Sequence, residues 1–386
     1  MNNTNNVDVE YFRIVNEILS NGRIKKNRTG IDTIGIFGAQ AKYDVNLNAF
    51  PVLTTKKVHF PAIVHELLWF INGDTNIKYL VDNNVKIWNE CAYAKYKKFM
   101  ETGGGSISIY GVREAGCRST SPFSQEQFIN LIKTDPIFAE NFGDLGEGTY
   151  GGMWRDFPFF TIVDKNNPST MPKFTSIGTK GMYTGDEPAI FLGRVDQLTK
   201  VIEKLKNNPD DRRIIVSAWH PHWIDHCALP PCHCLFQFHT EELTWKERLE
   251  IAHYKDYKNE NMYYKYSDED FDKISIPRRR LNCLLYQRSQ DSALGCPFNV
   301  TSYSLLTAMI AHVLNMIPGT FTHSTGDTHI YVNHIDGLKL QLTREPKNLP
   351  KLWLNPEIKS LFDFKYEDIK LLDYDPHPAI KMSVAV

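Results

Sequence analysis

Three β-type runs and one long apolar helix constrain this chain most, because both kinds of element must be buried in one interior. The runs are RRIIVSAW at 212–219, CHCLFQFH at 232–239 and LNCLLYQ at 281–287. The segment VTSYSLLTAMIAHVL at 300–314 is apolar on nearly every side, which is typical of a buried helix. This alternation predicts an α+β domain with a mainly apolar β-sheet flanked by helices.

Two further segments are predicted to be helical. Residues 8–21 begin with Asp8 as a candidate cap, end before Gly22 and carry apolar residues on one face: Tyr11, Val15, Ile18 and Leu19. Residues 60–71, FPAIVHELLWFI, are apolar almost all round, so Glu66 is predicted to enter the interior. A buried carboxylate is costly unless a partner or a function accounts for it.

Three stretches differ from these packed segments, at about 93–143, 158–190 and 241–280. They are rich in Gly, Ser, Asp, Lys or Tyr, and their hydrophobic periodicity is weak. No stretch shows a core of its own in the sequence, so we expect surface insertions in a single catalytic domain spanning 1–386.

The overall composition narrows the class of protein. With 386 residues, 42% of them hydrophobic, and a net charge of -1, the chain has no Lys/Arg-rich run for binding nucleic acid phosphates. Its N-terminus is polar, and no stretch reaches the roughly 18 apolar residues of a membrane span. Seven cysteines, an odd number, fit a reducing compartment. We therefore expect a cytoplasmic protein with no membrane or nucleic acid partner.

The segment HPHWIDHCALPPCHC at 220–234 crowds four His and three Cys together. Zinc sites usually combine C-x-x-C with H-x(3-5)-H, whereas Cys232 and Cys234 are separated by a single residue, so their spacing disfavours a shared zinc ion. The deaminase pattern, H-x-E with P-C-x-x-C, is absent. We therefore expect no metal, and buried strand cysteines with surface histidines account for most of the segment.

Cys232 differs from the other cysteines of this segment. Two prolines stiffen the chain before it, and a QRS sequence follows in the next β-type run. An arginine near a thiol favours the thiolate, which is the nucleophilic form. Cys232 is therefore a candidate nucleophile.

Six motifs in register resemble the thymidylate synthase family, over nearly the whole chain outside the three insertions. They are HELLWFINGDTN at 65–76, DDRRIIVSAW at 210–219, ALPPCHCLFQF around Cys232, LLYQRSQD at 284–291, LGCPFNVTSY at 294–303 and GDTHIYVNH at 326–334. Six long motifs in the same order are far more specific than one short pattern.

This resemblance implies one-carbon transfer to C5 of dUMP. Uracil C5 is a poor nucleophile, so the thiolate of Cys232, with Arg288 nearby, attacks C6 and pushes electrons toward C5. The amide of Asn299 then hydrogen-bonds N3 and O4, which selects uracil over cytosine. An ordinary helix cap is the alternative interpretation of Asn299.

The resemblance also implies which residues bind the substrate. The phosphate is assigned to Arg28, Arg288 and Ser289, and to Arg212 and Arg213 from a second subunit. That arrangement implies a homodimer. The ribose is expected to meet His329 and Tyr331, which alternate on one face of a short strand.

The carbon donor implied by the family is 5,10-methylenetetrahydrofolate. Its expected contacts are Trp88, Asp291, Leu294, Gly295, Phe298 and the C-terminal Val386, with Lys56 and His59 facing the glutamate tail. Without the resemblance, Trp88 and Phe298 would be interpreted as core residues. Glu66 and Tyr150 match the family residues that order water for removal of the C5 proton.

The product depends on whether hydride or water reaches the C5 methylene. Cys91 in IWNECA stands where bacterial synthases have a second Trp, Met153 replaces a Gln, and His220 replaces an Asn. A related phage hydroxymethylase also lacks that Trp. These departures, the length and the insertions favour a phage-type enzyme making 5-hydroxymethyl-dUMP, in the cytoplasm of a bacterial host.

Two alternatives to the hydroxymethylase stay open. The C-terminal SVAV and the retained Trp88 fit a thymidylate synthase that makes dTMP and dihydrofolate. A protein that binds nucleotide or RNA without catalysis belongs to a different class. The complete set of Cys232, Arg288, Asn299 and Glu66 argues against it.

Overall fold

A computed structural model describes residues 5–27, 30–102, 121–163, 179–184, 189–255 and 266–383. The helices are α1 Asn6–Asn21, α2 Phe60–Ile71, α3 Lys78–Asp82, α4 Asn89–Glu101, α5 Gln125–Thr134, α6 Pro136–Phe142, α7 Tyr150–Arg155, α8 Gln197–Asn207, α9 Trp245–Lys255, α10 Asp268–Lys273, α11 Gly295–Val313 and α12 Ile335–Leu342. The strands are β1 Arg23–Lys25, β2 Thr33–Asp44, β3 Phe157–Val163, β4 Thr179–Thr184, β5 Ala189–Val195, β6 Ile215–Ser217, β7 His233–Glu242, β8 Arg279–Asp291, β9 Ile317–Tyr331, β10 Lys351–Leu354 and β11 Ile369–Leu372.

The chain forms two compact units. The first, here called the sheet unit, comprises residues 1–60, 201–215 and 235–385. The second, here called the helical unit, comprises residues 61–200 and 216–234. No helix in the described part of the chain has both the length and the hydrophobicity needed to cross a membrane.

The central sheet has six strands in the order β1-β2-β9-β8-β7-β6. β9 pairs antiparallel with β2 and parallel with β8. Parallel neighbours need a long crossover, which α11 provides between β8 and β9 while packing on both. The predicted α+β class is confirmed, and the carboxyl ends of β8 and β9 lie side by side near the start of α11.

The core of the sheet unit lies between α11 and one face of this sheet. Strand residues alternate between the two faces, and Leu285 and Phe321 are buried on the α11 side. The predicted helix at 300–314 is confirmed, but it begins earlier, at Gly295. Asn299 therefore lies inside the helix, and its interpretation as an ordinary helix cap is wrong.

Helix α1 confirms the predicted segment and its end at Gly22, but its cap differs. Asn5 is the N-cap, and Asp8 is buried three residues later. Both carboxylate oxygens of Asp8 accept hydrogen bonds, from the hydroxyls and backbone N–H groups of Thr54 and Thr55. These four hydrogen bonds stabilise the buried carboxylate, which therefore does not cap the helix.

Two of the three stretches without periodicity have small cores that were not evident in the sequence. In the first stretch, the described helices α4, α5 and α6 enclose an aromatic cluster, defined by Tyr93, Tyr96, Phe123, Phe128, Phe138 and Phe142. In the last stretch, α9 and α10 bury Leu249, Ala252, Phe271 and Ile276. These side chains are spread over short helices, so no single segment shows a strong period.

The middle stretch contains strands that its weak periodicity did not indicate. β5 pairs antiparallel with β3 on one side and with β4 on the other, which gives a three-stranded sheet. The rest of that stretch, 164–178 and 185–188, lies outside the described residues.

Candidate active site

Glu66 and Trp88 form a buried pair in the helical unit. Glu66 projects from α2 with 8% of its surface exposed, as predicted, and accepts a hydrogen bond from Trp88 Nε1 at 2.8 Å. Burial raises the pKa of Glu66 to about 7, although the indole hydrogen bond acts in the opposite direction. A carboxyl group with such a pKa can take up and release a proton near neutral pH.

Tyr150 connects α7 to the candidate nucleophile. Its hydroxyl accepts hydrogen bonds from the backbone N–H of Cys232 at 2.8 Å and of His233 at 3.2 Å. Burial, with the nearby Cys232 thiol, raises the pKa of Tyr150 well above its usual value. The hydroxyl therefore stays protonated, and because it already accepts two hydrogen bonds, its proton is directed to a third group.

Aromatic rings bring the predicted residues of this unit together. The Tyr150 ring lies 6.0 Å from Trp88 and 4.8 Å from Phe70, between centroids. The His233 ring stacks on Tyr150 at 4.8 Å. The helical unit thus gathers Glu66, Trp88, Tyr150 and Cys232 around one aromatic wall. His233 was not predicted to be a site residue, although it directly follows the nucleophile.

In the sheet unit, predicted site residues gather where β8, α11 and β9 meet. The pairing register places Ser289 opposite Asp327 and Asp291 opposite His329. The predicted ligand contacts at this place are all half-buried, and buried residues lie between them along the chain. These half-buried contacts are Arg288, Ser289, Asp291, Leu294, Gly295, Phe298, Asn299, His329 and Tyr331. One partly open surface therefore runs beside the positive end of α11, where anions are favoured.

The side chain of Asn299 is oriented by Gln287, which was not predicted to be a site residue. Gln287 Nε2 donates to Asn299 Oδ1 at 3.1 Å, and Gln287 Oε1 is 2.8 Å from His323 Nε2. Gln287 and His323 are both buried. This chain fixes which end of the Asn299 amide accepts and which donates. Gln287 directly precedes Arg288 in the motif LLYQRSQD at 284–291, and that position was the signal available in the sequence.

His329 is held by charged neighbours. Its Nδ1 lies 2.9 Å from Asp327 Oδ1, and Lys25 Nζ donates to the other carboxylate oxygen at 2.9 Å. Burial alone would raise the pKa of Asp327, but Lys25 and His329 together lower it. An ionised Asp327 fixes the imidazole and directs Nε2 away from the carboxylate.

The predicted phosphate ligands fall in different surroundings. Arg288 is half-buried, whereas Arg212 and Arg213 are exposed. Arg213 is 83% exposed and is paired with Asp211 through Nε at 3.0 Å. Arg28 and Val386 lie outside the described residues.

Among the predicted contacts of the folate tail, His59 is exposed and Lys56 is buried. Lys56 Nζ donates to the carbonyl of Ala293 at 2.5 Å, and burial lowers the pKa of Lys56 to about 8. Asp291 Oδ1 accepts from the N–H groups of Ala293 and Leu294 at 2.8 and 3.3 Å. Lys56 and Asp291 therefore both fix the loop that leads into α11.

The three departures from the bacterial motifs are also in described positions. Met153 is fully buried in α7, so its side chain fills the interior. Cys91 is half-buried in α4, and His220 lies against Phe157 with 5.0 Å between ring centroids. Over the described ranges, no group of three or more His, Cys, Asp or Glu residues is placed to hold a metal ion.

Comparison with known proteins shows to which class of enzyme and to which family this chain belongs. The family model described as thymidylate synthase matches residues 9–386. Curated relatives named thymidylate synthase are 41% identical in Mycoplasma pneumoniae, 44% in Malacoplasma penetrans and 42% in Mycoplasma mobile. Each match covers 98% of this chain and 99% of the relative. The chain is a one-carbon transferase that uses 5,10-methylenetetrahydrofolate as co-substrate. It belongs to the thymidylate synthase family.

These relatives correct the expected product. They have nearly the same length as this chain, so its length and insertions do not distinguish a hydroxymethylase from a synthase. The comparisons support neither the preferred hydroxymethylase nor a phage-type enzyme, and the alternative, a thymidylate synthase, fits better. The non-catalytic binding protein is likewise not supported.

Proposed function

We propose that this protein is a thymidylate synthase that converts dUMP and 5,10-methylenetetrahydrofolate into dTMP and dihydrofolate. The observation that carries the proposal is the match, over nearly full length, to relatives named thymidylate synthase. The buried Glu66–Trp88 pair and the contact between Tyr150 and the Cys232 backbone fit the same chemistry.

The reaction begins with the thiolate of Cys232, which adds to C6 of the uracil ring. Electron density moves to C5 and O4, and C5 then forms a bond to the methylene carbon of the folate. Asn299 hydrogen-bonds the ring at N3 and O4, and the Gln287–His323 chain keeps its amide in one orientation. The C5–H proton is lost in the next step.

Glu66 and Tyr150 take part in that proton transfer. With a pKa of about 7, Glu66 is ionised in a substantial fraction of molecules at neutral pH, so it accepts a proton through ordered water. Tyr150 keeps its own proton and donates it as a hydrogen bond. Departure of tetrahydrofolate from the adduct leaves a methylene at C5. A hydride from the same folate reduces this methylene to methyl, the C6–S bond breaks to return the Cys232 thiolate, and the folate leaves as dihydrofolate.

The sheet unit supplies most of the other contacts of the nucleotide and the folate in this proposal. Arg288, Ser289 and the start of α11 hold the phosphate with Arg28, while His329 and Tyr331 hold the ribose. Asp291, Leu294, Gly295, Phe298, Lys56, His59, Trp88 and Val386 remain the proposed contacts of the folate. Cytoplasmic location remains a prediction.

The product assay separates a synthase from a hydroxymethylase. We expect one dihydrofolate for each dTMP, because a synthase transfers hydride from the folate to the C5 methylene, and because Met153 is buried in the interior. Mass spectrometry of the nucleotide and absorbance of the folate measure both products in one reaction. Formation of 5-hydroxymethyl-dUMP with unoxidised tetrahydrofolate would contradict the proposal and restore the hydroxymethylase.

A homodimer is part of the proposal, because Arg212 and Arg213 are exposed and the family supplies this pair to the partner's site. The sheet also exposes apolar surface: Leu284 and Tyr286 alternate with buried Leu285, and Phe37 is 87% exposed. Exposed apolar sheet surface of this kind marks an interface. We therefore propose that two copies pair through the sheet face opposite α11.

Mixing two inactive variants tests this arrangement. Arg212→Ala/Arg213→Ala lacks the donated arginines, and Cys232→Ser lacks the nucleophile, but a hybrid dimer contains one complete site. Random exchange makes half of the dimers hybrids, so we expect up to about a quarter of wild-type activity after mixing. Each variant mixed with itself is the control. An active monomer in analytical ultracentrifugation would refute the shared site.

A further inference from the structure

Gln197, the first residue of α8, links two elements of the helical unit with its side-chain amide. Its Nε2 donates to the carbonyl oxygens of Met153 and Ser217, both at 2.7 Å. Its Oε1 accepts from the backbone N–H of Ser217 at 2.9 Å. One half-buried amide therefore joins α7, through Met153, to β6, through Ser217.

These bonds close a ring of contacts that includes the nucleophile segment. After Ser217, the N–H of Ala218 donates to the carbonyl of Cys234 at 2.9 Å. Two residues before Cys234, the N–H of Cys232 donates to the Tyr150 hydroxyl. Tyr150 begins the same helix, α7, whose Met153 carbonyl binds Gln197. The ring thus runs from Tyr150 through Cys232, Cys234, Ala218 and Gln197 back to α7.

The residue before Gln197 fixes the other end of α7. Asp196 Oδ2 accepts from Arg155 Nε at 2.9 Å, and Arg155 is the last residue of the helix. Asp196 also accepts from the backbone N–H and hydroxyl of Thr199 at 2.9 and 2.8 Å, which ties the carboxylate to α8. A six-residue helix has little stability of its own, so such outside contacts determine its position.

We infer that Gln197 is a positioning residue for the Tyr150 hydroxyl, and this inference rests on the proposed synthase function. Gln197 does not touch the reacting atoms. It sets the distance between α7 and the strand that pairs beside Cys232, and hence the direction in which Tyr150 presents its proton. A displacement of about 1 Å at such a group can lower a rate about 100-fold. Removal of the C5 proton should depend on Gln197 more than the earlier steps do.

Two variants and two readouts test the inference. Gln197→Glu keeps the shape but turns a carboxylate toward two carbonyl oxygens, and Gln197→Met keeps the approximate volume without hydrogen bonds. Gln127→Met is the matched control, since Gln127 has an exposed side chain in the same unit and accepts a hydrogen bond from Ser124, the N-cap of α5. Tritium release from [5-³H]dUMP with methylenetetrahydrofolate reports C5 proton removal. Covalent complex formation with 5-fluoro-dUMP and the same folate reports the earlier steps, because fluorine cannot leave C5 as a cation.

We expect both Gln197 variants to release tritium about 10- to 100-fold more slowly than wild type. The dissociation constant for dUMP and the rate of covalent complex formation should stay within about threefold, and Gln127→Met should match wild type in all three. If Gln197→Glu does not fold, Gln197→Met carries the comparison.

Tritium release from the Gln197 variants equal to that of Gln127→Met would overturn the inference. A parallel loss of tritium release and covalent complex would overturn it as well, because that pattern indicates general disruption. Wild-type protein that releases no tritium would instead reject the proposed function, so the two failures are distinguishable.

Discussion

Cys232→Ser is expected to lower turnover at least about 10⁴-fold, because a serine hydroxyl is scarcely ionised at neutral pH and adds poorly to C6. Equilibrium binding of dUMP should change by no more than about threefold, since the proposed phosphate, ribose and base contacts belong to other residues. Tritium release and equilibrium dialysis measure the two effects. Cys227→Ser is the control, because it makes the same change in the same segment at a thiol that donates to the carbonyl of Ile224. Undiminished tritium release from Cys232→Ser would reject the nucleophile assignment.

Glu66→Gln is expected to slow C5 proton removal by about 10²- to 10⁴-fold, the usual contribution of a positioned acid or base. The amide can still accept the Trp88 indole hydrogen bond, so the fold should persist. Tritium release measures the effect, and Glu126→Gln, an exposed change in α5, is the control. A Glu66→Gln enzyme as fast as the control would remove Glu66 from the mechanism.

The same variant has an expected signature in stability. Burial raises the pKa of Glu66 from 4.5 to about 7, so the folded state binds this proton more tightly than the unfolded state. Between those pH values the contribution of Glu66 to stability falls as pH rises, and above about 7 it levels off. Urea unfolding should therefore show Glu66→Gln gaining stability relative to wild type across that window. A constant difference would contradict the raised pKa.

The sequence predicted elements whose apolar residues repeat within one segment. Residues 8–21, 60–71 and 300–314 are helical and the β-type runs lie in the central sheet. Burial of one face gives 8–21 its period, and 60–71 and 300–314 are apolar on nearly every side because they are buried on all sides. The small cores of the first and last stretches were not predicted, because the side chains that form them meet across several short helices. The burial of Asp8 was not predicted, because the sequence does not show that Thr54 and Thr55 donate hydrogen bonds to it.

Residue types in the site were easier to predict than their surroundings. The burial of Glu66 was predictable from the apolar residues around it in the sequence. Its hydrogen bond with Trp88 was not predictable, because that bond joins two separate segments. A lysine in TTKKVH suggests an exposed charge, yet Lys56 is buried against Ala293. Gln287 and Gln197 look like ordinary polar residues until their partners are known. The surroundings of these site residues therefore depend on contacts between distant parts of the sequence, which periodicity and motifs do not predict.

The aromatic cluster and the α9–α10 core bear on how such chains evolve. The entropic cost of a longer connection grows only slowly with its length, and a segment that buries its own side chains offsets part of it. Added residues of this kind leave the pairing of β8 with β9 and the start of α11 undisturbed. Chain length can then change with little effect on the elements that carry the site. Chain length in such a fold is therefore a poor guide to the reaction catalysed.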